Sequence, residues 1–170
     1  MPTRKIIHFA VTVALVSCLT NAWAQAPAAS PHAMPYGAPV SVDVAKKAAA
    51  VALAEARKNN WTVAVAIVDP GGNLVYYEKM DNTQLGSAHF CIDKARSAAL
   101  FKRPTKAFQD AVVGGGAGLR ILGIEGAVPV EGGVPLIVNG EIIGAIGVSG
   151  DTSEHDAQCA TAGAAALQKP

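Results

Sequence analysis

Apolar and polar positions along the chain mark out a short apolar leader, a stretch rich in small residues, and then segments whose period switches between helix and strand. From Ser41 to about Arg57, Val44, Ala48, Val51, Ala52 and Leu53 recur at helical spacing. Ser41 is a good N-cap there, Asp43 suits the helix dipole, and Asn59-Asn60 ends the segment. Val63 to Val68 is β-rich, Asp69-Pro70-Gly71-Gly72-Asn73 is a turn, and Leu74 to Tyr77 begins a second strand, so the pair predicts a hairpin. A helix is expected from Ser87 to about Phe101, stopped by Pro104, with Thr105 capping a short helix to about Val112. Gly114 to Gly118 is nearly all glycine and is expected to be a flexible link. Ala127–Val130, Pro135–Val138 and Glu141–Val148 predict three short strands, the last two joined by the hairpin pair Asn139-Gly140. Asp151 to Ser153 offers caps for a final Ala-rich helix ending near Leu167. The predicted order is α-β-β-α-α-β-β-β-α, an α/β (α+β) fold in which helices pack on an antiparallel sheet.

The leader changes the picture from a fold to an address. Arg4 and Lys5 precede an apolar run from Ile6 to about Leu19, and Ala22-Trp23-Ala24 places small residues where a signal peptidase reads them. The run falls short of the roughly 20 residues a transmembrane span needs, and no later segment is apolar and long enough either. Residues 1–24 are therefore expected to be a signal peptide, 25–40 a disordered lead-in rich in Ala and Pro, and 41–170 a single domain. Leu15-Val16-Ser17-Cys18 also resembles a lipobox, and lipidation at Cys18 is the minority route. Either route predicts a periplasmic or secreted protein.

Charge and composition narrow the chemistry. The 14 Lys and Arg nearly balance the 13 Asp and Glu, and cleavage of the leader removes Arg4 and Lys5. A near-neutral chain with no basic run gives no electrostatic footprint for nucleic acid. Aromatics are only 5% of residues, so the core must be built from Ala, Val, Ile and Leu. Cys91 and Cys159 are expected to be two buried thiols rather than a disulfide.

Several motifs fail on inspection. Gly114 to Gly118 lacks the Gly-Lys-Ser/Thr of a P-loop and fits no G-x-G-x-x-G frame. Gly147-Val148-Ser149-Gly150 ends in Asp151 where a nucleophile elbow needs glycine. His155 and Cys159 share a helix face but do not complete a zinc site. His89 and Asp93, four apart, fit an imidazole oriented by a carboxylate. For both histidines the plainer reading is a surface or capping role. Their weight rises if heme must be held, because heme needs only one or two axial ligands. Lys94, Arg96, Lys102, Arg103 and Lys106 lie in one stretch that suits a carboxylate-bearing ligand or a solvated helix face.

A composite pattern carries more. Glu131-Gly132-Gly133-Val134-Pro135-Leu136, Asn139-Gly140 and Gly144-Ala145-Ile146-Gly147-Val148-Ser149-Gly150, with Val68-Asp69-x-x-Gly72-Asn73-Leu74, Lys79-Met80-Asp81, Lys94-Ala95 and Phe101-x-Arg103-Pro104-Thr105, resembles the GlcG/HbpS-like family of small heme-binding proteins. The resemblance covers roughly residues 41–168. It implies a five-stranded antiparallel sheet, a homo-oligomer and, for some exported members, heme binding or redox sensing. Two departures stand out: Lys79 stands where the family commonly has Arg, and Glu154, His155, Asp156 and Ala157 replace one branch's Cys-x-Asp-His. The glycines of the pattern suit close backbone, ligand or subunit approach.

Three functions follow as expectations. In the first, an exported protein binds heme, with His89 as first axial ligand, His155 as second, and propionates near Lys94, Arg96 or Arg103. In the second, the same cations bind a small hydroxy or other organic acid, and Asp69, Glu131 or Asp156 transfers a proton. In the third, the domain is an assembly module with no small ligand.

Overall fold

The computed structural model describes residues 33–168, so the predicted signal peptide, the Cys18 lipidation site and His32 lie outside the described residues. Among the described residues, four helices and four strands appear in the order α1 (Val42–Lys58), β1 (Ala64–Val68), β2 (Leu74–Lys79), α2 (Ser87–Leu100), α3 (Lys106–Val113), β3 (Gly133–Val138), β4 (Glu141–Ser149) and α4 (Ser153–Ala165), with a 310 helix at Gly116–Gly123. The local signals act as expected at several ends. Ser41 Oγ accepts from the Val44 N–H at 3.3 Å to start α1, and Thr152 does the same for His155 at the start of α4. Asn139 and Gly140 both take positive φ, 52° and 79°, as the tight β3–β4 turn requires.

The sheet is antiparallel throughout, in the order β2-β1-β4-β3. It has four strands among the described residues, not the five expected. The missing strand is Ala127–Val130, which forms no ladder. Its Val128 N–H goes to the Ser97 hydroxyl on α2 at 3.0 Å, Pro129 has no N–H, and the Glu131 N–H just beyond goes to Gln109 Oε1 at 2.9 Å. Side chains of the helices take the donors that a neighbouring strand would have used.

β1 and β4 lie at the centre, and β1 is buried along its whole length. Odd and even residues of β1 serve opposite layers, as the two-residue period of a strand dictates. Val63, Val65 and Ile67, with Ile146 and Val148, meet Ala48, Ala52 and Leu53 of α1 and Ala160 of α4. Across the sheet, Ala64, Ala66, Val68 and Ala145 lie beneath Cys91, Ala95, Ala98 and Ala99 of α2. That second layer is built from small residues because α2 approaches the sheet closely. A Cβ on Gly147 would run into the Cys91 carbonyl, and one on Gly133 into the Lys94 carbonyl. Gly133 and Gly147 of the pattern therefore serve helix-to-sheet packing within the chain.

Three further expectations change. The lead-in, read as disordered to residue 40, is held against β4 from residue 35 onward: Ile142 N–H donates to Pro35 O, and Gly37 and Val40 donate to the carbonyls of Ile142 and Ile143. Gly114 to Gly118 is not a free link but turns through Gly115 and Gly116 (φ 68° and 54°) into the 310 helix, where Gly118 abuts the Ala111 carbonyl. Thr105 stands at the N-cap of α3, but its hydroxyl makes no cap bond; it accepts from Gly133 N–H at 2.9 Å and ties α3 to the edge of β3.

Candidate functional site

The N-terminal turn of α2 opens onto a cleft of about 400 Å³ lined by Gln84, Ser87, His89, Phe90, Asp93 and Ser149. Its floor is formed by two buried hydroxyls, Ser149 Oγ donating to Ser87 Oγ at 3.2 Å. His89 is exposed at the mouth, and among the described residues its ring makes no hydrogen bond. The carboxylate four residues on, Asp93, does not hold it. Phe90, which lines the cleft, and Leu85, in the turn before α2, are exposed apolar side chains near His89 in sequence. Arg96, seven residues after His89, lies on the same outward face of the helix. Its Nε donates to the Gly72 carbonyl at 3.0 Å, fastening α2 to the β1–β2 hairpin.

Lys94 is differently placed. Only 1% exposed, its ammonium donates to Asp156 Oδ2 at 2.8 Å and to the Val148 carbonyl at 3.1 Å, with the Phe90 ring 5.0 Å away. Asp156 also accepts from the Asp151 N–H at 3.2 Å. Burial pushes the Asp156 carboxyl up, against the pull of Lys94. The pair bridges α2 and α4 from opposite faces of the sheet, and Lys94 is not available at the surface. Arg103 stacks its guanidinium over Phe108 at 5.1 Å and donates from Nε to the Phe101 carbonyl. Lys79 reaches the carbonyl of Thr83 at 3.3 Å, closing the loop that leads into α2.

His155 is engaged on two sides. Its ring stacks on Trp61 at 3.8 Å and 12°, and Nδ1 lies 2.7 Å from Asp151 Oδ1. The hydrogen bond to His155 holds the Asp151 carboxyl below the usual range. An imidazole fixed this way presents only Nε2 outward. His89 and His155 thus sit in different settings, one unengaged and one clamped. Trp61 carries no local signal for this role, being distant in sequence, whereas the Asp151–His155 spacing of four was open to reading.

The residues proposed for proton transfer do not converge. Asp69 Oδ1 caps its own turn, accepting from the Asn73 N–H at 2.9 Å; Asp156 faces Lys94; Glu131 borders a separate groove beside β3. Cys91 and Cys159 are free and buried, in the layers on opposite faces of the sheet, and burial pushes both thiols up to about 12. Among the described residues no group of three or more His, Cys, Asp and Glu is arranged to hold a metal ion, and no helix is long and apolar enough to cross a membrane.

Comparison with known proteins agrees with this architecture. A family model described as "Haem degrading protein HbpS-like" matches residues 40–165. Protein GlcG of Escherichia coli K12 is 42% identical over 95 residues, 56% of this chain and 69% of that protein. A double mutant of Streptomyces reticuli HbpS superposes with a TM-score of 0.70 at 29% identity, covering 85% of this chain and 98% of that one. A PduOC:heme complex superposes with a TM-score of 0.68 at 28% identity, covering 76% and 95%.

Proposed function

The chain belongs to the HbpS-like family, and on that premise we propose that it is an exported heme-binding protein that takes iron at His89. The observation that carries the assignment is the unengaged imidazole of His89 at the mouth of the cleft of about 400 Å³. An axial ligand needs a nitrogen lone pair with access to a large flat partner, and His89 fits that need. Phe90 in the cleft and the exposed Leu85 just before α2 offer apolar surface for a porphyrin. Arg96, on the same helix face, is the cation best placed for a propionate, since among the described residues only its Nε is used. His155 is the second candidate ligand, oriented by Asp151 but covered on one face by Trp61. Bound heme supplies a redox-active iron whose potential follows the axial ligand and its surroundings. Capture of external heme or redox sensing are the roles compatible with export through the leader.

The protein is further proposed to act as a homo-oligomer, on the strength of apolar side chains that the single chain leaves uncovered beyond α3.

Hemin titration tests the ligand assignment. The purified protein is expected to give a saturable Soret band, shifted and weakened at least about tenfold in affinity by His89→Ala and little changed by His155→Ala. A band that survives unchanged in the double variant would overturn His89 ligation. No saturable band at all would overturn heme binding.

A further inference from the structure

A second cavity shares no lining residue with the His89 cleft. It is a groove of about 550 Å³ between the edge strand β3 and α4, bordered by Pro104, Glu131, Gly132, Val134, Glu154 and Ala157. Its floor continues through Pro104, Val134 and Thr161 into a neighbouring cavity of about 310 Å³. Most of this surface is apolar or backbone.

Glu131 is the exception. It is only 6% exposed, yet it lines the groove. Gln109 clamps it twice, donating from Nε2 to Glu131 Oε1 at 3.3 Å and accepting the Glu131 N–H at 2.9 Å. Oε2 has no partner among the described residues. Oε2 is not among the buried atoms that lack a partner, so it stays within reach of solvent and can accept a donor brought into the groove. Glu154 adds a second carboxylate at the border of the groove, on the first turn of α4, where its own backbone N–H and then the Thr152 hydroxyl hold its carboxyl below the usual range. Among the described residues, Lys106 is the one cation bordering the groove; it is bound to Asp110 at 2.7 Å and also feels the charges of Glu131 and Glu154. The two lining carboxylates, Glu131 and Glu154, thus outweigh Lys106, whose charge Asp110 already meets, and the free oxygen of Glu131 suits an N–H donor.

We propose that this groove binds a primary ammonium carried on an apolar body, the ammonium donating to Glu131 Oε2 and the body lying along Val134, Pro104 and Ala157. A carboxylate ligand is repelled by the same charges, so the site differs in chemistry from one built for heme propionates. It does not depend on the heme reading, and its test uses no hemin.

The probe is 2-phenylethylamine, titrated into isotopically labelled protein and followed by amide chemical shifts, with 2-phenylethanol and 3-phenylpropionate as neutral and anionic controls. Saturable shifts at Gly132, Gly133 and Val134 are expected for the amine, with an affinity at least about tenfold above either control. Glu131→Gln should lose about tenfold while keeping the Gln109 contacts. Glu154→Gln, at an exposed position, should lose a smaller factor and provides the second variant should Glu131→Gln disturb the fold. Equal binding of the alcohol, tighter binding of the acid, absence of saturable shifts, or wild-type affinity in the folded variants would each overturn the proposal.

Discussion

Lys94 and Asp156 come from opposite faces of the sheet and meet under Gly132, where a Cβ would lie 2.8 Å from the Lys94 ammonium. Both side chains are nearly fully buried. In such a place the pair itself adds little, because desolvation offsets the attraction, but either partner left alone is a buried uncompensated charge. Asp156→Ala is therefore expected to lower unfolding free energy by about 3–5 kcal/mol in urea titrations, and the paired change Lys94→Met with Asp156→Leu to recover most of that loss. A double variant no more stable than Asp156→Ala would show that Asp156 acts through other contacts. The same pair shows where sequence reading stopped. Lys94 looked like one cation among several in a charged stretch, and its partner stands 62 positions away. Nothing local separates a lysine tied to a distant carboxylate from one free to meet a ligand. Arg96 and Arg103 were equally alike in sequence, yet one fastens a hairpin and the other covers a phenyl ring.

Between elements, the controlling feature is how closely α2 lies on β3 and β4. Gly147 faces the Cys91 carbonyl and Ala95, so even one methyl group must displace backbone. Gly147→Ala is expected to cost about 1–3 kcal/mol or more, the range of overpacked cores. Gly123→Ala, in the 310 helix with open space around the added carbon, should stay within about 0.5 kcal/mol of wild type. Thermal unfolding of the two variants checks the contrast, and equal midpoints would deny the close packing. Helix and strand positions were legible where the signal is local, as at Ser41, Asn139-Gly140 and the alternating run of β1. They were illegible where a distant side chain decides. Val128 has a strand-forming neighbourhood, but Ser97 takes its N–H, and Thr105 has a capping residue's chemistry, but Gly133 claims its hydroxyl. The glycines announced close approach in the sequence without saying what approached. Of the candidate site, His89 was legible as a candidate ligand but paired with Asp93, which does not hold it, while the Trp61 stack on His155 and the hydroxyl floor of the cleft arise only from the folded chain.

At the scale of the whole molecule, the arm formed by the end of α3 and the 310 helix is anomalous. Val113, Leu119, Leu122 and Ile124 are 82%, 50%, 64% and 44% exposed, and the 310 helix buries none of its residues. Single exposed leucines are ordinary, but a run of large aliphatic side chains on one projecting segment is the usual mark of a surface covered by a partner. A second copy of the chain is the partner that is always present at matching concentration, and a self-complementary patch closes a two-fold dimer without leaving an open edge. The proposal that the protein is a homo-oligomer therefore makes a definite demand on this arm. Leu119→Ser with Leu122→Ser should convert a multiple of the chain mass to the single-chain mass in light scattering coupled to size exclusion. The change should leave the layers around β1 intact, because neither side chain contributes to the buried clusters. Near-ultraviolet circular dichroism unchanged from wild type would verify that the dissociated form is still folded. An unaltered oligomer in the double variant, or a wild-type protein that is monomeric at every concentration, would assign the exposed arm to some other partner.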